Sequence, residues 1–116
     1  MRAINSKIIK ALDGKAGDYK LSKRDKVYVS VADGIGNRTT SRAYYLWNSQ
    51  IFNMNTTSYT TTISIGVRNG AYQTVTTKNR INFLADAYGL PGIVQKSYAW
   101  SWSDGVPYTG TRTFTV

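Results

Sequence analysis

The stretch from residue 76 to 102 limits the fold more than any other. Ile81, Leu84, Ala85 and Tyr88 recur at i, i+3, i+4 and i+7, which draws one apolar stripe along a helix. Phe83 widens the stripe. Thr76 or Thr77 offers a hydroxyl to cap the start. Gly89 stands where a left-handed residue closes a helix, and Pro91 forbids continuation. The spacing therefore predicts a helix over about 78–88. Residues 93–102 then alternate as one strand, with Val94, Lys96, Tyr98, Trp100 and Trp102 on a single face.

The rest of the chain reads mainly as strands. Ile4, Ile8, Ile9 and Leu12 predict a short helix over about 5–12, with Lys7 and Lys10 outward. Residues 14–26 are rich in Lys, Asp and Gly and read as a loop or mobile arm. Val27, Val29 and Val31 alternate as a strand, which the 33–37 segment breaks. The Gly34-Ile35-Gly36 spacing there is too short for a phosphate loop. Residues 41–47 and 51–54 suit a hairpin about an Asn48-Ser49-Gln50 turn. Residues 56–67 form a further strand, and Asn69-Gly70 turns it back onto residues 71–75. Residues 106–116 read as the last strand, with Pro107 at an edge or bulge. The sum is α+β: a mainly antiparallel sheet, one firm helix and a short N-terminal one. The expected organisation is a basic helix and arm over 1–26, then an α+β domain over 27–116.

A chain of 116 residues has room for one buried core. It holds no cysteine and no histidine, so disulfides, thiolate nucleophiles and histidine general bases are excluded. Its carboxylates are Asp13, Asp18, Asp25, Asp33, Asp86 and Asp104, with no acid-pair spacing and no cation-loop pattern. The expectation is a non-enzymatic protein with no cofactor and no metal. Lys and Arg total 15 against 6 acids, a net charge of +9. Such an excess draws polyanions: DNA, RNA, an acidic protein face or anionic lipid. No apolar run reaches the ~20 residues of a membrane helix, and no signal-peptide core follows Arg2. A cytoplasmic setting without membrane attachment is the expectation.

Two constellations point to a polyanion. Lys78 and Arg80 fall in the first turn of the predicted helix, where the macrodipole disfavours cations by about 0.3–1 kcal/mol each. Thr76, Thr77, Lys78, Arg80 and the open helix N–H groups would converge on a phosphate. The plainer alternative is that both cations reach solvent and tolerate that cost. The second constellation interleaves bases and aromatics. Lys96 lies among Tyr98, Trp100 and Trp102, with Arg112 on the next strand, and Arg42 precedes Tyr44, Tyr45 and Trp47. Stacked bases on such platforms are worth ~1–3 kcal/mol each. With only three Phe, however, the core must draw on Tyr and Trp. At least one of Trp100 and Trp102 is expected inside.

Several of these residues also carry a likeness. Trp47, Asn69-Gly70, the Thr76-Thr77-Lys78-Asn79-Arg80-Ile81-Asn82-Phe83-Leu84 run, Gln95-Lys96 and Trp100 together resemble a family of small proteins encoded by bacteriophages and related mobile elements. The resemblance spans about 44–102. It implies a viral origin and a host-cytoplasm setting, and brings no activity with it. Pro91-Gly92 departs from the family's usual link between helix and strand.

These readings converge on a small basic nucleic-acid-binding protein of phage type, with contacts at Arg42, Trp47, Thr77, Lys78, Arg80, Lys96, Trp100 and Arg112. An interaction protein that occupies an acidic surface of a host enzyme or defence complex is the alternative. A virion component is the third, since Thr-rich strands suit edge pairing and oligomers.

Overall fold

The computed structural model describes residues 3–67 and 74–116. Helix α1 (Ala3–Leu12) is followed by β1 (Gly17–Lys20), β2 (Asp25–Gly34), β3 (Asn37–Leu46), β4 (Ser49–Thr56) and β5 (Thr61–Ile65). Then come α2 (Val75–Ala87), β6 (Ile93–Lys96), β7 (Ala99–Trp102) and β8 (Arg112–Thr115). Six strands make one antiparallel sheet in the order β1-β2-β3-β4-β5-β8, and β6 and β7 form a separate hairpin. The α+β class with a mainly antiparallel sheet is as the sequence predicts. The Asn69-Gly70 turn and residues 71–73 lie outside the described residues.

Alternation decides which sheet face is covered. Val27, Tyr44, Phe52 and Ile65 align across the strands, as do Val29, Arg42, Met54 and Ile63. Both rows lie on the face that receives the helices. Ile8 and Leu12 of α1 and Ile81 and Leu84 of α2 are fully buried against it. A bulge in β4 serves this core. Tyr44 pairs with Phe52 but Tyr45 with Gln50, so Ile51 has no opposite residue and both Ile51 and Phe52 turn inward.

The first 26 residues are part of this body rather than a separate arm. α1 seats Ile8 and Leu12 in the same core as α2. Residues 17–20 form edge strand β1 on β2, where a loop was expected. The pairing places Tyr19 beside Val27, at the edge of the core. A short edge strand bearing Lys20 also resists further pairing by the sheet.

Helix α2 starts earlier than its stripe suggests. The cap is Thr74, not Thr76 or Thr77; its Oγ1 accepts from the Thr77 N–H at 3.1 Å. Lys78 and Arg80 are therefore the fourth and sixth helical residues, beyond the turn where the macrodipole opposes cations. The buried face extends the stripe backward through Thr77 and Arg80. The helix ends in a Schellman motif. Leu90 N–H bonds to Ala85 O, Gly89 N–H bonds to Asp86 O, and Gly89 has φ 69°.

Residues 93–102 are two strands rather than one. Ser97 and Tyr98 carry φ of 51° and 67° and turn the chain back on itself. Trp47 and Asn48, with φ of 51° and 65°, do the same between β3 and β4, one residue earlier than expected. The last strand is only Arg112–Thr115; Pro107 makes an isolated bridge to Ser101. Asn82 fixes the β6–β7 hairpin to α2 by accepting from Ile93 N–H and donating to Ile93 O at 3.1 Å. A Cβ at residue 92 would lie 2.8 Å from Asn82 Oδ1, which explains glycine after Pro91.

Removing the Thr74 cap is expected to cost about 0.5–2 kcal/mol. Chemical denaturation of Thr74→Ala beside Thr76→Ala checks this. The loss should follow Thr74, with Thr76→Ala close to wild type.

Candidate functional site

Several of the expected contacts are engaged inside the fold. Arg80 is only 1 % exposed. Its Nε donates to Asp25 Oδ1 at 3.0 Å and to the Tyr44 hydroxyl at 3.0 Å, while Tyr44 OH donates to the same carboxylate oxygen. It cannot meet an external phosphate from this position. Its Nη1 and Nη2 are buried without an acceptor among the described residues. The warning was in the spacing, since Arg80 lies four residues before Leu84 on the buried stripe.

Other basic residues are similarly occupied. Arg42 faces the core side, and its Nη1 donates to the carbonyls of Leu12 and Gly14, closing the end of α1. Arg112 grips Asp104 with two parallel bonds of 3.0 and 2.8 Å. Its guanidinium also lies 4.6 Å from the Phe114 ring centroid. Trp100 is buried edge-on to Tyr108, and Trp102 packs on Tyr108 and Phe114. The hairpin register separates the expected basic–aromatic face. Gln95 pairs with Trp100 and Ile93 with Trp102, so Lys96 lies on the opposite side, beside Ala99.

Trp47 and Thr77 line one cavity, and Lys78 and Lys96 follow from it along α2 and β6. The β3–β4 turn leaves Trp47 60 % exposed. Its N–H bonds to Arg24 O at 2.9 Å, which joins it to the β1–β2 turn. Arg24, Leu46, Trp47, Ser49, Ile51, Thr74, Thr76 and Thr77 line a cavity of about 330 Å³ against the start of α2. Thr77 is a wall residue whose N–H and hydroxyl both engage Thr74. Lys78 extends away and donates to Gln95 Oε1 at 3.1 Å, which brings β6 beside the helix. Lys96 is exposed one residue beyond.

The turn that carries Lys23 and Arg24 is ordered by Ser22. Its Oγ donates to Asp25 Oδ2 at 2.6 Å and accepts from Asp25 N–H at 3.0 Å. Lys20 and Lys26 face each other across β1 and β2, and Lys26 Nζ reaches Asn48 Oδ1 at 3.2 Å. The turns after β1 and β3 therefore gather Lys20, Lys23, Arg24, Lys26 and Trp47. Of these, only Trp47 was legible as a contact. The lysine pairing depends on β1, which residues 17–20 hardly signal alone.

Two titrations follow from these contacts. Burial pushes the Asp25 carboxyl up, but hydrogen bonds from Arg80, Ser22 and Tyr44, with the Arg80 charge, outweigh it and leave its pKa below the ordinary value. The Arg112 hydrogen bonds likewise hold the Asp104 carboxyl down. A carboxyl with a lowered folded pKa adds stability above its unfolded pKa of about 3.9. That contribution is lost as pH falls through the folded value. Urea unfolding from neutral pH into this acid window should show wild type weakening. Asp25→Asn should be less pH-dependent there. At neutral pH it should be less stable by about 3–5 kcal/mol, because Arg80 loses its buried counter-charge.

Comparison with known proteins supports a phage protein family. No curated protein and no solved structure matches the chain. The family model described as Kyanoviridae Gp96 protein matches residues 1–115, which takes in α1, the sheet through β8 and α2. The chain therefore belongs to the Kyanoviridae Gp96 protein family, a family of phage proteins.

Proposed function

We propose that this phage protein binds nucleic acid without catalysis and holds it chiefly by lysine contacts to phosphates. The observation that carries the reading is a division between its two kinds of cation. Among the described residues, every ion pair uses an arginine: Arg24 and Arg80 with Asp25, Arg38 with Asp33, and Arg112 with Asp104. No lysine in that set has a carboxylate within ion-pair reach. Lys20, Lys23 and Lys26 meet Arg24 and Trp47 at one end of the sheet.

Lysine favours a particular kind of binding. Its ammonium is a compact point charge on a flexible stem, suited to phosphate but without the planar fork that reads a guanine edge. Arg42, Arg80 and Arg112 have their donors turned to carbonyls, a carboxylate or the protein interior. Binding should therefore tolerate sequence and depend steeply on salt.

The test is a fluorescence titration of DNA and RNA oligonucleotides across a salt series. Replacing Lys20, Lys23 and Lys26 together by Ala should weaken binding. It should also reduce the slope of log K against log salt by roughly 2–3, at about 0.7–0.9 per phosphate contact. Lys78→Ala, a single lysine outside that cluster, should change the slope by less than about 1. Wild-type protein that binds neither DNA nor RNA at low salt would sink the proposal.

A further inference from the structure

The sheet has a second face, and the helices leave it uncovered. Arg80 reaches Tyr44, Arg42 reaches the end of α1, and Trp102 packs on Phe114, all on the opposite side. Strand register assigns the residues of the open face. One row runs Lys20, Lys26, Tyr45, Gln50. The next runs Asp18, Tyr28, Ala43, Asn53, Ser64, Thr113. A third runs Ser30, Ser41, Asn55, Thr62, Thr115.

This order separates three chemistries across the face. Lys20 and Lys26 stand at the β1 side, directly opposite one another and without a carboxylate partner. Like charges so placed destabilise a strand pair, and an anion bridging them would offset that cost. Asp18 is the face's carboxylate, one row away. The tyrosines come next. Tyr28 is 49 % exposed, and Tyr45 is half-buried at the diagonal position. Diagonal neighbours lie about 7–8 Å apart, which leaves room for one flat ring on each. Farther across, Gln50, Asn53 and Asn55 bring amides and Ser41, Ser64 and Thr113 hydroxyls; Ser64 and Thr113 bond each other at 2.8 Å, Tyr45 donates to Gln50 at 3.3 Å and Ser41 to Asn53 at 3.5 Å. Amides and hydroxyls can bond to base edges without favouring one base.

We propose that this open face is a platform for single-stranded nucleic acid, with Tyr28 and Tyr45 each stacking a base and Lys20 and Lys26 holding the adjoining phosphates. The proposal rests on the nucleic-acid reading above and adds the strand type and the residues that select it. A duplex keeps its bases stacked inside and cannot use the rings. A single strand can, because every base has a flat face. Charge complementarity selects the occupant, since one exposed and one half-buried ring adjoin lysines that no carboxylate neutralises.

The experiment compares a labelled oligothymidylate with a mixed-sequence duplex by fluorescence anisotropy at low salt. Tyr28→Thr and Tyr45→Thr keep strand propensity while removing the ring. Each should weaken oligothymidylate binding by about 5- to 150-fold and duplex binding by less than about 2-fold. Tyr45→Phe should bind as wild type. So should Tyr59→Ala, a control in the distant β4–β5 turn. Circular dichroism melts check folding. If a Thr variant melts early, the matching Leu variant replaces it with the same expected loss. Variants that bind the single strand as wild type does, or that lose strand and duplex equally, overturn the platform. If they bind normally while the lysine replacement abolishes binding, the platform alone falls. If wild type binds neither ligand, the nucleic-acid reading fails and the platform fails with it.

Discussion

The interaction on which the rest of the structure depends is the contact of Arg80 with Asp25 and Tyr44. It joins α2 to β2 and β3 at a point where all three side chains are buried. A buried ion pair is not stabilising merely because it exists, since desolvation offsets much of the attraction. Its larger effect here is on register. A guanidinium whose Nε must meet both a carboxylate and a phenol allows α2 little rotation or sliding. The same carboxylate receives Ser22, so the turn bearing Lys23 and Arg24 is ordered by the group that anchors the helix. The cavity between Arg24, Trp47 and the helix start lies beside that turn.

The opposite face of α2 is held by different means. Asn82 satisfies both backbone groups of Ile93, and Lys78 adds a tie to Gln95. The hairpin then delivers Trp100 and Trp102 to Tyr108, whose hydroxyl accepts from Val67 N–H at 2.7 Å. Residues 66 and 110 are glycines for a steric reason. A Cβ at 66 would lie 3.0 Å from Gly110 O, and Gly66 and Gly110 have φ of 124° and 133°. The aromatics that suggested a binding surface are thus largely part of the core, as a chain poor in Phe requires.

What the sequence disclosed follows from which forces act locally. The stripe from Ile81 to Tyr88 and the Gly89 stop are short-range signals, and they located α2. The cap was misplaced because Thr76 and Thr77 can accept a helix N–H as readily as Thr74 does. Arg80 misled because its charge suggested solvent while its spacing placed it inside. Ser97-Tyr98 carries no Gly, Asn or Asp, so nothing local announced a turn between two alternating segments. Strand β1 is legible only through its partner, since Gly17-Asp18-Tyr19-Lys20 offers one large apolar side chain. Register decided the candidate site for the same reason. It moved Lys96 away from Trp100 and set Lys20 beside Lys26, and pairing between strands is not written in either strand alone.

The division between arginine and lysine also separates two functional questions. A guanidinium has several donors and is weakly hydrated, so it can enter a fold and satisfy carbonyls or carboxylates there. An ammonium is strongly hydrated and stays at the surface. In this chain Arg80 is buried and Arg42 and Arg112 are half-buried, while Arg24 and Arg38 are exposed; none of the lysines is buried. A lysine field attracts a polyanion but discriminates poorly among polyanions, because a point charge meets the phosphates of strand and duplex alike. Selectivity must then come from groups that a duplex cannot reach. Tyr28 and Tyr45 are such groups, and their neighbours Gln50 and Asn53 are uncharged. On the proposed reading, binding strength and strand preference would therefore rest on different side chains of one sheet face.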